Sequence, residues 1–316
     1  MQSTRSHKKF PYGMADSWYV VAYSDELSKD QIVTLNYFGE QLQLFRDAKG
    51  EAALVDGFCG HMGASLSANA GGIIENGVLT CPFHHWSWAG DGKCIDVPYA
   101  DKLPTANIRS YPVYEAGGLI WAWYSAEDSE PLFAIPDFDQ LNDPNWHNSG
   151  ERYQWTLKTH NQDLFENGID WPHFLYVHKF AAPDTKNFEF DGHIFKWHVE
   201  TMIGPNLDIP SKITNTIVGL GFSLLNNTDN TLMVFAPTPI DEDTVHLRMT
   251  ILTDLDMSET ENQSMMKAYA KGQADSIAED FDIWEKKVYM ETPKLCDSDG
   301  PIARYRKWAQ QFYNGN

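Results

Sequence analysis

Two short runs carry the most chemistry in this chain: Cys59-Gly60-His61 and Cys81-Pro82-Phe83-His84. Each offers one thiolate and one imidazole. Two such pairs can hold two irons bridged by sulfide, with the cysteines on one iron and the neutral imidazoles on the other, which is Rieske ligation. Replacing two thiolates by imidazoles removes negative charge and raises the reduction potential above that of an all-cysteine 2Fe–2S centre. These residues therefore point to single-electron transfer at comparatively high potential. Zinc is the competing reading, but zinc sites usually pair cysteine with cysteine and histidine with histidine. Spacing and ligand softness together favour the diiron reading. Gly60, Gly63, Gly90 and Gly92 permit tight turns beside a cluster, and Phe83, Trp86 and Trp88 are available to exclude water. His85 also neighbours Cys81, but the two-residue gap selects His84 and leaves His85 to a supporting or surface position.

A second constellation is Asp170-Trp-Pro-His173-Phe-Leu-Tyr-Val-His178. Two histidines and a distant carboxylate make the facial triad that binds Fe(II) and leaves positions open for oxygen. Simple packing within an aromatic segment is the plain alternative. Five residues along an α-helix turn two side chains about 140° apart. One metal can take both only if the helix widens or ends there. The carboxylate has four candidates, Glu279, Asp280, Asp282 and Glu285, on a helix predicted from about Ser258 to Tyr289. Its apolar stripe is Ile277, Phe281, Trp284 and Val288. At about 100° per residue, Glu279 and Asp282 point away from that stripe, whereas Asp280 and Glu285 flank it. Geometry leaves both of these in play.

The elements that must position these groups fall into two regions. Residues 17–125 read as short strands between turns, with Trp18 to Ala22, Gln41 to Arg46, Ala52 to Asp56, Val78 to Cys81 and Leu119 to Tyr124 the clearest. They predict a small antiparallel β domain holding the cluster in two loops. A Pro- and Asp-rich stretch, Glu130 to Pro144, marks the boundary. Residues 126–316, with 1–16, form the second domain: a His- and acid-rich segment at 158–180, strands over roughly 190–255, then the long helix. In one strand Val245, Leu247, Met249 and Ile251 alternate with Thr244, His246, Arg248 and Thr250, predicting one buried face.

At 316 residues there is room for two domains and a substantial core. A formal charge of −20 argues against nucleic acid or an anionic membrane surface as partner. The basic stretches, Arg5 to Lys9 and Arg304 to Lys307, read as solvated termini. With no secretory apolar stretch, Cys94 and Cys296 are expected to be reduced thiols. No apolar run reaches the length of a membrane span, and the protein is expected to be soluble and cytoplasmic.

Together these residues resemble the Rieske non-haem iron oxygenases, and within them the oxygenase components of 3-ketosteroid 9α-hydroxylases and the cholesterol 7-desaturases. Cys59-Gly-His-Met-Gly, Cys81-Pro-Phe-His-His-Trp-Ser-Trp-Ala-Gly-Asp-Gly-Lys-Cys and Val97-Pro-Tyr-Ala carry the likeness in the cluster loops. Glu166-Asn167-Gly-Ile-Asp170-Trp-Pro-His173 through His178 carries it in the iron segment. Glu279-Asp280-Phe-Asp-Ile-Trp-Glu-Lys-Lys and Arg306-Lys-Trp-Ala-Gln-Gln-Phe-Tyr carry it near the C-terminus. It is thinnest over 190–260, and Gly60 and His85 stand where the subgroup has Arg and an acidic residue.

The resemblance implies an α+β fold: an N-terminal antiparallel β Rieske domain and a C-terminal helix-grip (START-like) catalytic domain. It implies a 2Fe–2S cluster on Cys59, His61, Cys81 and His84, and Fe(II) on His173, His178 and Asp280, which breaks the tie with Glu285. Electrons would come from NADH through a separate reductase, either ferredoxin-type or flavin/2Fe–2S. The family's head-to-tail homotrimer would set Asp170 as a bridge between His84 of one protomer and His173 of the next, with Asn167 in a supporting role. The implied activity is O2-dependent hydroxylation or desaturation of a steroid- or sterol-like apolar substrate. The alternatives are oxidative demethylation of a methoxy-aromatic or N-methyl compound, and an electron carrier fused to a lipid-binding domain.

Overall fold

The computed structural model describes residues 10–181, 185–203, 209–228 and 230–313. It divides into two compact units, residues 19–132 and residues up to 18 together with 133 onward. Among the described residues no helix is long and apolar enough to cross a membrane.

The unit spanning 19–132 is built from three small antiparallel sheets. One places Leu119–Tyr124 between Ser17–Tyr23 and Val113–Ala116. Another runs in the order Val33–Tyr37, Glu40–Arg46, Ala52–Asp56, Ser110–Tyr111. The third runs Ile73–Glu75, Val78–Thr80, Ser87–Trp88, Cys94–Asp96. The 57–66 loop follows Ala52–Asp56 in the second sheet, and the 81–86 turn links two neighbours in the third. A shared apolar core includes Phe45, Val55, Leu66, Leu79, Trp88 and Ile108, with Cys59 and Cys81 as members. The cysteines thus root both loops in one core, while the loop tips reach the surface.

The other unit is dominated by a seven-stranded antiparallel sheet. Its order is His147–Leu157, Val245–Thr253, Thr231–Pro239, Phe222–Thr228, Ile209–Val218, Ile194–Ile203, Thr185–Asp191. From Thr185 to Thr253 it is a continuous meander, and the eleven-residue strand His147–Leu157, which periodicity did not reveal, closes its far edge. Register aligns Trp197, Asn215, Leu225 and Met233 in one row across four strands. Phe195, Ile217, Ser223 and Phe235 make the next row. Because side chains alternate along a strand, all eight share one face. The helix Thr260–Ala278 packs against His147–Leu157 and Val245–Thr253, through Met266, Ala270 and Ala274.

Three expectations need correction. The predicted 258–289 helix is two helices, Thr260–Ala278 and Phe281–Lys286, and Val288 beyond them is exposed. Strand Val245–Thr253 is buried on both faces, Arg248 and Thr250 included, because it is a central strand whose reverse side is also covered. Arg304–Lys307 is solvated only in part: Arg304 and Lys307 are exposed, but the stretch lies on helix Ile302–Ala309, where Arg306 forks onto buried Glu166. The other basic stretch, Arg5 to Lys9, lies outside the described residues.

Candidate metal centres and active-site pocket

Each cluster-loop pair sits on a closed turn. Cys59 N–H donates to Ala64 O at 2.8 Å, and Gly63, at φ 73°, donates back to Cys59 O. In the second loop Cys81 N–H donates to Trp86 O at 2.9 Å, with His85 exposed and left-handed at φ 58°. Gly92 is required behind this loop, since a Cβ there would fall 2.2 Å from the Ile108 carbonyl oxygen. Gly60 packs against Trp88, where a Cβ would lie 3.0 Å from the indole. That close packing accounts for the absence of a long side chain at this position.

The two thiols are buried and unpaired, whereas the His61 and His84 rings, 4.9 Å apart, are partly exposed at the loop tips. The His61 ring stacks on Trp86 at 4.4 Å. Burial pushes the Cys59 thiol up, and the neighbouring Cys81 sulfur adds to this. The Trp88 indole N–H opposes it; it finds no acceptor at hydrogen-bonding geometry, yet lies near enough to Cys59 to favour the thiolate. A buried donor left over beside two sulfurs suits a sulfide-bridged cluster. A single zinc does not fit. Tetrahedral zinc at about 2.0–2.3 Å from each ligand draws its donor atoms together, and among the described residues these four do not form such a group.

His173, His178 and Asp280 do. Their ligand atoms all lie within 4.8 Å of one another, and no other described group of three does so. Helix Trp171–Tyr176 ends before His178, so the five-residue step is resolved by termination. Past that end the chain turns, with Lys179 at φ 59° and Phe180 N–H donating to Phe174 O. The two rings then stand 4.9 Å apart at 78°. Asp280 is buried in the break between the C-terminal helices, where Glu279 and Asp280 N–H groups bond three residues back, to Ser276 and Ile277. This 3₁₀-type tightening turns both carboxylates toward the histidines. Asp280 Oδ2 lies 3.3 Å from His178 Nε2, and Asn167 Nδ2 lies 3.0 Å from Asp280 Oδ2 and 3.1 Å from His173 Nε2. Asp280 Oδ1 is buried with no hydrogen-bond partner among the described residues. An orphaned carboxylate oxygen beside two converging imidazoles fits a cation.

These halves match known protein families. Residues 17–112 match the Rieske [2Fe-2S] domain, and residues 122–313 match the 3-Ketosteroid 9alpha-hydroxylase C-terminal domain. The chain belongs to the 3-ketosteroid 9α-hydroxylase family of Rieske oxygenases.

The oxygenase is 29% identical to a 3-ketosteroid-9-alpha-monooxygenase oxygenase component of Rhodococcus rhodochrous, over 96% of this chain and 85% of that one. It is 31% identical to Cholesterol 7-desaturase nvd 1 of Ciona intestinalis, over 97% of this chain and 69% of that one. Its fold is shared with apo dicamba monooxygenase at a TM-score of 0.72, with 20% identity over 96% of this chain and 98% of that one. It is thus the terminal component of a Rieske oxygenase, dependent on a cluster, a non-haem iron and a separate reductase.

Supporting contacts around the oxygenase's histidine pair are unequal. His173 Nδ1 meets the Asp170 main-chain oxygen at 2.5 Å, a neutral partner, and the Asp170 carboxyl itself is pushed up by burial. His178 Nδ1 meets the Glu279 carboxylate at 2.9 Å, with Ser276 Oγ at 3.3 Å. Helical-wheel reasoning turned Glu279 to solvent; it is indeed half-exposed, and its carboxylate reaches His178 as well. Glu285, the other flanking candidate, instead accepts from Lys158 N–H at an exposed position. Burial lowers the His173 pKa. For His178 burial also acts downward, but Asp280 and Glu279 together outweigh it and the pKa is raised.

Two expected outcomes follow from these contacts. Glu279→Gln, which removes an anion holding a ring N–H, is expected to weaken Fe(II) affinity by roughly 10–100-fold, measured by anaerobic titration. Only the neutral imidazole ligates. Iron affinity is therefore expected to fall with pH from above the ordinary imidazole value of about 6.5, by up to about tenfold per unit for a single competing proton.

The trio opens into a pocket of about 160 Å³, walled by Leu164, Phe165, Phe174, Ile213, Ile217 and Met233 among others.

Proposed function

We propose that this oxygenase hydroxylates or desaturates a steroid- or sterol-like apolar molecule. The observation that carries this reading is the His173–His178–Asp280 trio at the wall of a mostly apolar pocket. When bound, the cluster on Cys59, His61, Cys81 and His84 supplies single electrons drawn from NADH through the reductase, and the iron supplies the site of O2 activation. The protein's own residues do the rest. His173, His178 and Asp280 hold the metal, the Asp170 carbonyl and the Glu279 carboxylate set the two rings, and Asn167 spans ligand atoms of His173 and Asp280. Aromatic and aliphatic walls exclude water from the reacting carbon. Both the hydroxylase and the desaturase names among the relatives support the substrate class.

The working unit in this reading is a head-to-tail trimer, with Asp170 as the bridge: its main-chain oxygen holds His173 of its own protomer, and its carboxyl would meet His84 of the next. Met62 and Phe83 at the cluster tips and Tyr176 on the iron helix are large and exposed, as surfaces awaiting a partner copy would be. Phe83→Asp is expected to give monomers that keep both metals and lose turnover, read by sedimentation and iron content. Intact trimers in that variant would count against the arrangement.

The test of function is substrate-dependent O2 consumption with a matched reductase, comparing a 3-ketosteroid and a sterol with a methoxy-aromatic and an N-methyl compound. Coupled consumption with the first pair alone is the expected result. Coupling only with the second pair would make it a demethylase.

A further inference from the structure

The pocket wall is mostly apolar, and beside the Asp280 carboxylate and the Trp197 and Trp284 indole N–H groups it holds one further buried polar atom without a partner among the described residues. Asn215 is 93% buried, its side chain lines the pocket, and its Oδ1 has no hydrogen-bond partner among the described residues. The other polar groups around the cavity differ from it. Asn167 and Ser276 are engaged with the metal trio, and Ser211 and Gln273 are only half-buried. Ser223 is buried, on the next row of the same sheet face, diagonal to Asn215. A buried amide oxygen with no partner costs stability, so its presence on a mostly apolar sheet face calls for a ligand.

Its position is informative. Trp197 packs against Gly168, one residue beyond Asn167, at 2.8 Å from where a Cβ would stand. Asn215 pairs directly with Trp197 on the neighbouring strand. A flat, rigid molecule in the pocket that the metal trio and this sheet face share would meet Asn215 with one edge.

Resting on the steroid-class reading above, we propose that Asn215 selects and orients the substrate by hydrogen bonding an oxygen function of its ring skeleton. A carboxamide both donates and accepts, so it takes a hydroxyl or a ketone. With that oxygen anchored, the ring skeleton has one orientation, and one carbon faces the metal. A hydrocarbon of the same shape leaves the amide unanswered and is disfavoured.

Three probes of one skeleton test this on the holoenzyme: androst-5-en-3β-ol, androst-4-en-3-one and androst-5-ene, with binding read by quenching of tryptophan fluorescence. Wild type is expected to bind the alcohol and the ketone about ten- to a hundredfold tighter than the hydrocarbon. Asn215→Leu, close in volume, is expected to lose that preference while keeping hydrocarbon affinity, and to spread oxidation over several carbons. Asn215→Ala serves the same purpose if leucine disturbs the sheet. Equal binding of the three by wild type, or an undiminished preference in either variant, overturns the assignment and leaves the steroid-class reading standing. Failure of wild type to bind any of the three overturns that reading and the assignment with it.

Discussion

Asp280→Ala is expected to abolish turnover and iron binding while leaving the visible absorption of the cluster unchanged. Asp280 supplies the only carboxylate in the one described trio whose ligand atoms converge. Losing a ligand outright costs more than the roughly 10–100-fold that a supporting residue is worth. The effect on folding is small by comparison. Removing Asp280 frees Asn167 Nδ2 of one bond but also removes the uncompensated Oδ1. The measurement is iron and sulfide content after anaerobic Fe(II) loading, alongside O2 consumption. An Asp280→Ala protein with a full complement of iron and normal turnover would place the ligand elsewhere. Glu285 is then the first residue to test, although its carboxylate is exposed and committed to Lys158.

The largest loss of stability is expected from Arg306→Ala. Its guanidinium forks onto Glu166 at 2.6 and 2.8 Å, and Glu166 lies on helix Asn161–Asn167, which ends at Asn167. Both side chains are largely buried, with 14% and 8% exposure. The same arginine also donates to the Met290 carbonyl. Breaking a buried pair strands the remaining charge and costs about 3–5 kcal/mol. For a unit of this size that corresponds to a fall in Tm of roughly 6–20 °C, read by calorimetry. Arg306→Lys is expected to recover only part of the loss, because an ammonium cannot reproduce the planar fork. A shift of a degree or less would show that the pair adds nothing beyond solvated charges. Because Asn167 spans His173 and Asp280, the alanine variant is also expected to bind Fe(II) more weakly.

Much of the site was legible because its chemistry is local. A cysteine and a histidine held on one tight turn need only the turn, and turns follow from a few neighbouring residues. Cys59, His61, Cys81 and His84 could therefore be read as two pairs without knowledge of the sheets beneath them. His173 and His178 were legible as a question, since their five-residue step demanded a break in helical geometry, and the helix does end before His178.

Asp280 shows the limit of that reading. Helical periodicity kept it level with Glu285, and likeness to a family separated them. The break at Glu279–Asp280 separates them physically, by 3₁₀ tightening that no local propensity announced. Glu279 is half-exposed, as the wheel had it, but its contact with His178 could not be seen on a continuous helix. Arg306 and Asn215 lay further out of reach. A charged residue near a terminus looks solvated until a helix from 140 residues earlier presents a carboxylate to it. An asparagine within an alternating strand looks ordinary until four strands align and show that its neighbours in the row are apolar.

The chain by itself determined which atoms can bind metal, the two-part organisation and the antiparallel character of its strands, because these depend on residue type and short-range spacing. Tertiary structure alone decided which carboxylate steadies His178 and which amide oxygen is left facing the pocket, and it gave the physical reason that Asp280 rather than Glu285 lies beside the histidines. Those outcomes depend on register and on helix ends meeting across more than a hundred residues, where packing rather than local preference sets the geometry.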